Sequence, residues 1–191
     1  MSDLNIMIVG VGGQGSLLAS RILGNVALKK SYDVKVSEVH GMSQRGGSVV
    51  TYVKIGKKVN SPLIEQGEAD VILGFEQLES LRWVEYLKED GKLIVSEQTI
   101  NPMPVIMGKA SYPENIIDKL KASYKNVISI DALDIAKKCG NIKAVNIVLL
   151  GLMAKGTAIE KDTWLESIRE TVPAKFLEVN MNAFEAGYNA G

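Results

Sequence analysis

The sequence predicts an α/β protein, a three-layer Rossmann-like sandwich with a mixed, mostly parallel sheet and C-terminal helices. Up to about residue 140, short apolar runs typical of buried strands alternate with apolar residues at helical spacing, the pattern of β-α layering. Beyond that point the spacing is helical throughout. With 191 residues, the chain is long enough to bury about 70% of its unfolded surface. We therefore expect a single domain over residues 1–191, with a helical segment over 141–191.

The first unit is a strand, a glycine-rich turn and a helix. An apolar run over residues 6–9 stops at Gly10, and Leu17, Ile22 and Val26 then recur at helical spacing. The glycines fit the dinucleotide fingerprint Gly-x-Gly-x-x-Gly. Glycine lets a backbone approach a ligand closely, and the first N–H groups of a helix attract an anion. The candidate anion site comprises Gly10, Gly12, Gly13, Gln14, Gly15 and Ser16.

Two further strands follow, with a polar, glycine-rich loop between them. Residues 33–39 alternate polar and apolar side chains, and residues 48–55 are β-branched and aromatic, so both segments favour strands. Residues 56–59 then predict a hairpin turn rather than a helical crossover. We therefore expect a mixed sheet.

The next unit is again a strand followed by a helix. Residues 70–76 form a buried apolar run that ends in the carboxylate of Glu76, and a helical period follows over 78–87. We expect Asp90 and Gly91 to end that helix before a strand over residues 92–96.

The middle of the chain contains proline and a further strand-helix unit. We predict a short strand over residues 105–107, a helix that starts near Pro113, and a strand over 126–130. Asp131 is suited to cap a helix over residues 132–138.

The remaining segment predicts three helices. The first, ended by Gly156, is apolar on most sides and therefore buried, and it contains Asn146, whose amide we expect to be hydrogen-bonded to a core group or a neighbouring loop. The others span residues 161–171 and 174–190.

Composition excludes several classes of function. The 22 basic residues balance 22 acidic ones, so no global field draws the chain to nucleic acid or an anionic membrane. The first apolar run is too short for a signal peptide or membrane span, and we expect a cytoplasmic protein. The single cysteine, Cys139, and the single histidine, His40, cannot hold an iron–sulfur cluster or a typical metal site by themselves.

A dinucleotide-binding function has mixed support. Glu38 lies 23 positions after Gly15, close to where an acidic residue holds ribose hydroxyls in such units. A solvent-exposed glutamate on an alternating strand is the other interpretation. The rest of the chain offers no general acid–base pair for hydride transfer, so we assign no catalytic residue.

The second glycine-rich loop adds groups suited to phosphate or carboxylate. It follows the second strand directly, and loops at the carboxyl ends of neighbouring strands converge in α/β sheets. We therefore expect both glycine loops to share one crevice, although a polar turn whose arginine pairs with a carboxylate is an alternative. The candidates are Ser43, Gln44, Arg45, Gly46 and Gly47, with Glu76 as a further candidate that could equally be a helix N-terminal charge.

The two motifs together resemble a known family. GVGGQG at 10–15 and EVHGMSQRGGSV at 38–49 are similar to the gamma subunit or gamma domain of the 2-oxoacid:ferredoxin oxidoreductases. The similarity extends to ADVILGFEQLESLR at 69–82 and NIVLLG at 146–151. Within the family, it is greatest to the small subunits of the indolepyruvate branch.

This resemblance implies a non-autonomous enzyme subunit. Its complex would decarboxylate an aryl 2-oxoacid, transfer the acyl group to coenzyme A and pass electrons to ferredoxin. Thiamine diphosphate and the iron–sulfur clusters would be bound by a larger partner subunit, and coenzyme A by this chain or its interface. Equivalent subunits for pyruvate, 2-oxoglutarate or branched-chain acids, and a free NAD-binding protein, stay open as alternatives.

Replacing Arg45 by Ala tests the resemblance-based site. Loss of a charge-assisted hydrogen bond to phosphate costs about 1.5–3 kcal/mol, so the KM of the assembled enzyme for coenzyme A should rise about tenfold or more. Steady-state kinetics with coenzyme A varied measures this. Unchanged kinetics would contradict a role of Arg45 in binding.

Overall fold

The computed structural model describes residues 3–41 and 46–190. Within this part of the chain, six strands form one sheet in the order β2-β3-β1-β4-β5-β6. The strands are β1 (Leu4–Val11), β2 (Asp33–His40), β3 (Ser48–Gly56), β4 (Ala69–Gly74), β5 (Leu87–Ser96) and β6 (Val127–Ile130). β1, β4, β5 and β6 are parallel neighbours, while β3 pairs antiparallel with both β1 and β2. The mixed, mostly parallel sheet is confirmed.

Helices cover both faces of the sheet. They are α1 (Ser16–Lys29), α2 (Gln77–Trp83), α3 (Met103–Ile106), α4 (Ile116–Ser123), α5 (Ala132–Lys138), α6 (Val145–Lys155), α7 (Lys161–Thr171) and α8 (Leu177–Asn189). Ile6 and Ile8 of β1 pack with α1 and α5 to α8, whereas Met7 and Val9 pack on the opposite face with α2 and α4. This alternation follows from the two-residue period of a strand, and it confirms the three-layer sandwich.

The hairpin lies elsewhere than predicted. β2 and β3 form it by antiparallel pairing, and residues 57–68 instead lead β3 to β4 without a helix. The expected turn at 56–59 is wrong because β1 lies between β3 and β4. The chain therefore crosses from β3 to β4 past β1 at the amino edge of the sheet.

Two local predictions also differ from the structure. Residues 105–107 are not a strand, since α3 covers Met103–Ile106. Asp90 and Gly91 do not precede β5 but lie within it, because the strand begins at Leu87 and its pairing with β4 shifts register at a bulge. A Cβ at Gly91 would lie 2.9 Å from the Ala69 carbonyl oxygen, so the bulge requires glycine there.

The C-terminal helices follow the prediction closely. α6 is buried along nearly its whole length, α7 has the predicted bounds, and a short 3-10 turn, Ala174–Phe176, precedes α8. α6 and α8 approach until their backbones touch. A Cβ on Gly151 would lie 2.2 Å from the Phe184 carbonyl oxygen, and one on Gly187 would lie 1.9 Å from that of Val148.

Replacing Gly187 by Ala should therefore destabilise the fold. The added methyl group forces α8 away from α6, and overpacking of this kind costs about 1–3 kcal/mol. Gly24→Ala in α1 is the matched control, because no atom lies within 4 Å of its Cβ position; it should stabilise by about 0.5–1 kcal/mol. Urea unfolding measures both, and equal effects of the two substitutions would contradict the packing account.

Candidate functional site

The first glycine segment, residues 10–16, joins β1 to α1 in a turn that only glycine can form. Gly13 and Gly15 have φ angles of +105° and +88°, in the left-handed region that glycine favours. A Cβ on Gly10 would lie 3.0 Å from that of Phe75, and one on Gly15 would lie 2.5 Å from Asn146 Nδ2. By contrast, apart from its chain neighbours, no heavy atom of residues 3–41 and 46–190 lies within 4 Å of the Cβ position of Gly13.

Gln14 holds the first glycine segment in place. Its Oε1 accepts a hydrogen bond from Val11 N at 2.7 Å, and its Nε2 donates to the Phe75 carbonyl oxygen at 2.9 Å and to Gln98 Oε1 at 3.1 Å. These bonds connect the ends of β1, β4 and β5. The side chain of Gln14, a candidate for binding, is therefore engaged with protein groups.

The second glycine segment, Gly46–Gly47, lies directly against the first. Gly12 N donates to the Gly47 carbonyl oxygen at 2.8 Å, and Gly46 N to the Gly12 carbonyl oxygen at 3.4 Å. The two glycine segments thus meet at one edge, but through the β2–β3 hairpin, because β2 is not a neighbour of β1. Ser43, Gln44 and Arg45 lie outside the described residues.

A cavity of about 330 Å³ opens between the first glycine segment and β2; we call it the glycine cavity. Glu38 faces it. Its Oε2 accepts hydrogen bonds from Ser16 Oγ at 2.8 Å and from Thr51 Oγ1 at 3.1 Å. A solvent-exposed Glu38 is therefore the wrong interpretation. The described lining residues are Gly12, Gly13, Gly15, Ser16, Leu17, Glu38, His40 and Val49.

Glu76 has a structural environment. It is 1% exposed and caps α2, since its Oε2 accepts from Glu79 N at 2.9 Å. Its Oε1 accepts from Tyr112 Oη at 2.5 Å and from Ile100 N at 3.1 Å. Burial and the Glu76 carboxylate raise the pKa of Tyr112 above its ordinary value. The capping interpretation of Glu76 is confirmed, and its carboxylate ties α2 to two later segments.

Sequence reasoning missed a buried carboxylate beside Glu76. Glu79 accepts a hydrogen bond from Ser48 Oγ at 2.5 Å, and Arg82 Nε lies 3.3 Å from its other oxygen. Burial raises the pKa of Glu79. Because Ser48 directly follows the second glycine segment, Glu79 fixes the point where that segment enters β3. The spacing of Glu79 and Arg82 on one helix face was the available signal.

Glu76 and Glu79 line a second cavity of about 510 Å³, together with Gly46 and Gly47. Met103 and Ile106 of α3 also border it and are largely exposed. The described residues that line this cavity and those that line the glycine cavity do not overlap.

A third cavity, of about 390 Å³, lies at the opposite edge. Asp70 in its lining accepts from Asn5 N at 2.7 Å and from Lys88 Nζ at 2.5 Å. Its carboxylate is thus engaged by protein donors. Neither glycine segment reaches this cavity.

Asn146 anchors the first glycine segment to the core. It is 1% exposed on α6, its Nδ2 donates to the Gly15 carbonyl oxygen at 3.0 Å, and its Oδ1 accepts from Ile147 N at 2.9 Å. The expectation of a hydrogen-bonded core amide that reaches a neighbouring loop is confirmed.

The remaining candidate residue is His40. His40 is exposed at the rim of the glycine cavity, with Nδ1 2.9 Å from the Gly41 carbonyl oxygen. Over residues 3–41 and 46–190, no three histidine, cysteine or acidic side chains cluster as metal ligands would. In the same part of the chain, none of the helices has the length and apolar character needed to cross a bilayer.

Comparison with known proteins identifies the family. Residues 5–190 match the model described as "Pyruvate ferredoxin/flavodoxin oxidoreductase". The chain belongs to this family. The indolepyruvate oxidoreductase subunit IorB of Thermococcus kodakarensis is 43% identical, over all of this chain and 96% of that protein. The subunit of the same name from Archaeoglobus fulgidus is 40% identical over 97% of this chain and 94% of that protein.

More distant relatives share the fold or the family. The pyruvate/ketoisovalerate oxidoreductases common subunit gamma of Thermococcus kodakarensis is 27% identical over 97% of this chain and 96% of that protein. The crystal structure of a keto/oxoacid ferredoxin oxidoreductase gamma subunit from Geobacter sulfurreducens has a TM-score of 0.72 at 26% identity, covering 97% of this chain and 96% of that one. The resemblance found in the glycine motifs is confirmed.

The anchoring role of Asn146 is testable by substitution. Asn146→Ala removes one of the two hydrogen bonds to the Gly15 carbonyl oxygen, which also accepts from Ala19 N. It leaves Ile147 N without its side-chain partner, and a buried group left in this way costs about 1–3 kcal/mol. Asn182→Ala on the exposed face of α8 is the control and should change stability by less than about 0.5 kcal/mol. Chemical denaturation measures both. A loss no larger for Asn146→Ala than for the control would contradict the anchoring role.

Proposed function

We propose that this chain is the small subunit of an indolepyruvate:ferredoxin oxidoreductase. In the complex, an aryl 2-oxoacid is oxidatively decarboxylated, its acyl group is transferred to coenzyme A, and the electrons pass to ferredoxin. A larger partner subunit holds thiamine diphosphate and the iron–sulfur clusters. This chain contributes the crevice formed by its two glycine segments, at which coenzyme A is placed.

The observation that carries this proposal is the difference in sequence identity between two groups of relatives. The indolepyruvate subunits are 38–43% identical over nearly the whole chain, whereas the common subunits of the pyruvate/ketoisovalerate enzymes are 26–28% identical. Both groups align over similar lengths. The difference favours the indolepyruvate branch over subunits for other 2-oxoacids.

A larger partner is supported by relatives in which this unit is part of a longer polypeptide. The ketoisovalerate oxidoreductase subunit VorA of Methanothermobacter marburgensis aligns with 97% of this chain, yet the aligned part is only 36% of VorA. In such proteins the unit is covalently attached to other domains. We propose that here the corresponding attachment is non-covalent. The free, half-buried thiol of Cys139 is compatible with the reducing cytoplasm, where we place the complex.

The side chains of this chain are better suited to bind and orient a ligand than to catalyse a reaction. Gln14, Glu76 and Glu79 are bonded to protein groups. Holding a reactant beside the partner's active centre can supply a large part of a rate enhancement. We therefore assign to the crevice the binding and orientation of coenzyme A, with Gly13 as the point of closest approach and Ser43, Gln44 and Arg45 as further candidates.

Affinity purification of this chain from its own cells tests the proposal. We expect a brown complex with one larger polypeptide, because iron–sulfur clusters absorb visible light, and dye reduction that requires both indolepyruvate and coenzyme A. Pyruvate in place of indolepyruvate is the control for the alternative substrate. A colourless monomer that binds NADH with sub-millimolar affinity would contradict the proposal and favour an independent nucleotide-binding protein.

A further inference from the structure

The segment over residues 98–108 lies at the surface although it has no charged side chain. Its sequence is QTINPMPVIMG, whereas 23% of the residues in the whole chain are charged. None of its residues is buried. By contrast, the uncharged runs over residues 4–20 and 144–154 contain the buried strand β1 and the buried helix α6. An exposed apolar surface without charge is typical of a contact with another protein.

Three large apolar side chains of this segment share one face of α3. Met103, Ile106 and Met107 are 60%, 65% and 57% exposed; we call them the α3 surface. Their spacing of three and four residues makes them neighbours on a helix. Methionine is enriched at protein–protein contacts because its flexible side chain adapts to the opposing surface. A partner that covers this surface removes the three side chains from water.

The segment is fixed at both ends to the start of α2. The buried carboxylate of Glu76 accepts hydrogen bonds at Oε1 from Ile100 N and Tyr112 Oη. Gln77 Nε2 donates to the Glu97 carbonyl oxygen at 2.7 Å. These bonds restrict the position of α3 before any partner binds, so less conformational entropy is lost on association.

The α3 surface adjoins the second glycine segment. Met103 and Ile106 line the cavity that Gly46, Gly47 and Ser48 also line. The α3 surface supplies roughly a few hundred Å² of apolar area, which is less than the area of about 800 Å² that each protein buries in a stable interface. A stable interface therefore includes neighbouring surface, and the glycine segments lie next to α3.

We propose that the α3 surface docks onto an uncharged, apolar patch of the larger partner subunit and holds the crevice of this chain against that subunit. This inference rests on the proposed function. A protein that approaches the second glycine segment at the carboxyl edge of the sheet also meets α3. One occupant therefore covers both surfaces, and the partner subunit is the protein that the crevice faces.

Assembly with a charged residue on α3 tests the proposal. Ile106→Glu places a carboxylate at the most exposed position of the α3 surface. This chain and the larger subunit are co-expressed, and the purified complex is diluted while mass photometry measures the assembled fraction. We expect the Kd of the variant complex to rise at least about thirtyfold, because an unpaired charge would be buried at the contact.

Leu63→Glu is the matched control for this experiment. Leu63 is 59% exposed and lies in the connection over residues 57–68, at the amino edge of the sheet. The same substitution there should change the Kd less than about twofold. An equal Kd for Ile106→Glu and the wild type would contradict the proposal. It is also wrong if Ile106→Glu abolishes self-association of the isolated full chain while the Kd of the complex is unchanged, since a second copy then covers α3.

A second variant separates docking from folding. The double substitution Met103→Ala and Ile106→Ala shortens exposed side chains without adding charge, and circular dichroism of the full chain should match the wild type. We expect its Kd to rise about tenfold, and an unchanged Kd would contradict the proposal. Failure of the proposed function gives a different result: the wild-type complex would assemble through α3 but would not turn over indolepyruvate with coenzyme A.

Discussion

The close approach of backbones at the carboxyl end of β1 is the constraint on which the rest of the site depends. Gly12 exchanges hydrogen bonds with the Gly46–Gly47 segment, and Gly15 lies against the amide of Asn146. Side chains at these positions would separate the elements that meet there. Because packing and backbone dihedral angles already require glycine at these positions, the glycine fingerprint by itself does not identify a nucleotide site. It identifies a junction of β1, the β2–β3 hairpin and α6, in which the described residues leave open space at the Cβ position of Gly13.

The same junction places a carboxylate beside the start of α1. Glu38 reaches the start of α1 because the antiparallel β3 lies between β1 and β2 and presents Thr51 beside it. Where the second glycine segment enters β3, Glu79 is held by Ser48 and Arg82. A subunit of this kind is suited to orient a ligand between itself and a partner, with the reacting cofactors on the partner.

Local signals in the sequence predicted most of the fold, whereas non-local pairing determined what was missed. The Asp131 cap was predictable because its side chain accepts from Asp134 N, three residues away. The position of the hairpin was not, because it depends on β1 lying between β3 and β4. Val105 and Ile106 have β-branched side chains typical of strands, but a proline in the first turn suits the short helix α3. Likewise, the hydrogen bonds of Glu38 come from elements far apart in the chain.

Amide hydrogen exchange of the purified complex, with and without coenzyme A, tests the central claim most directly. The claim is that the two glycine segments form one surface that coenzyme A contacts. We predict slower exchange on addition of coenzyme A at residues 12–17 and 46–49, with no change at the amino-edge cavity around Asp70 and Lys88. Protection confined to the partner subunit, or to the amino edge of this sheet, would contradict the account.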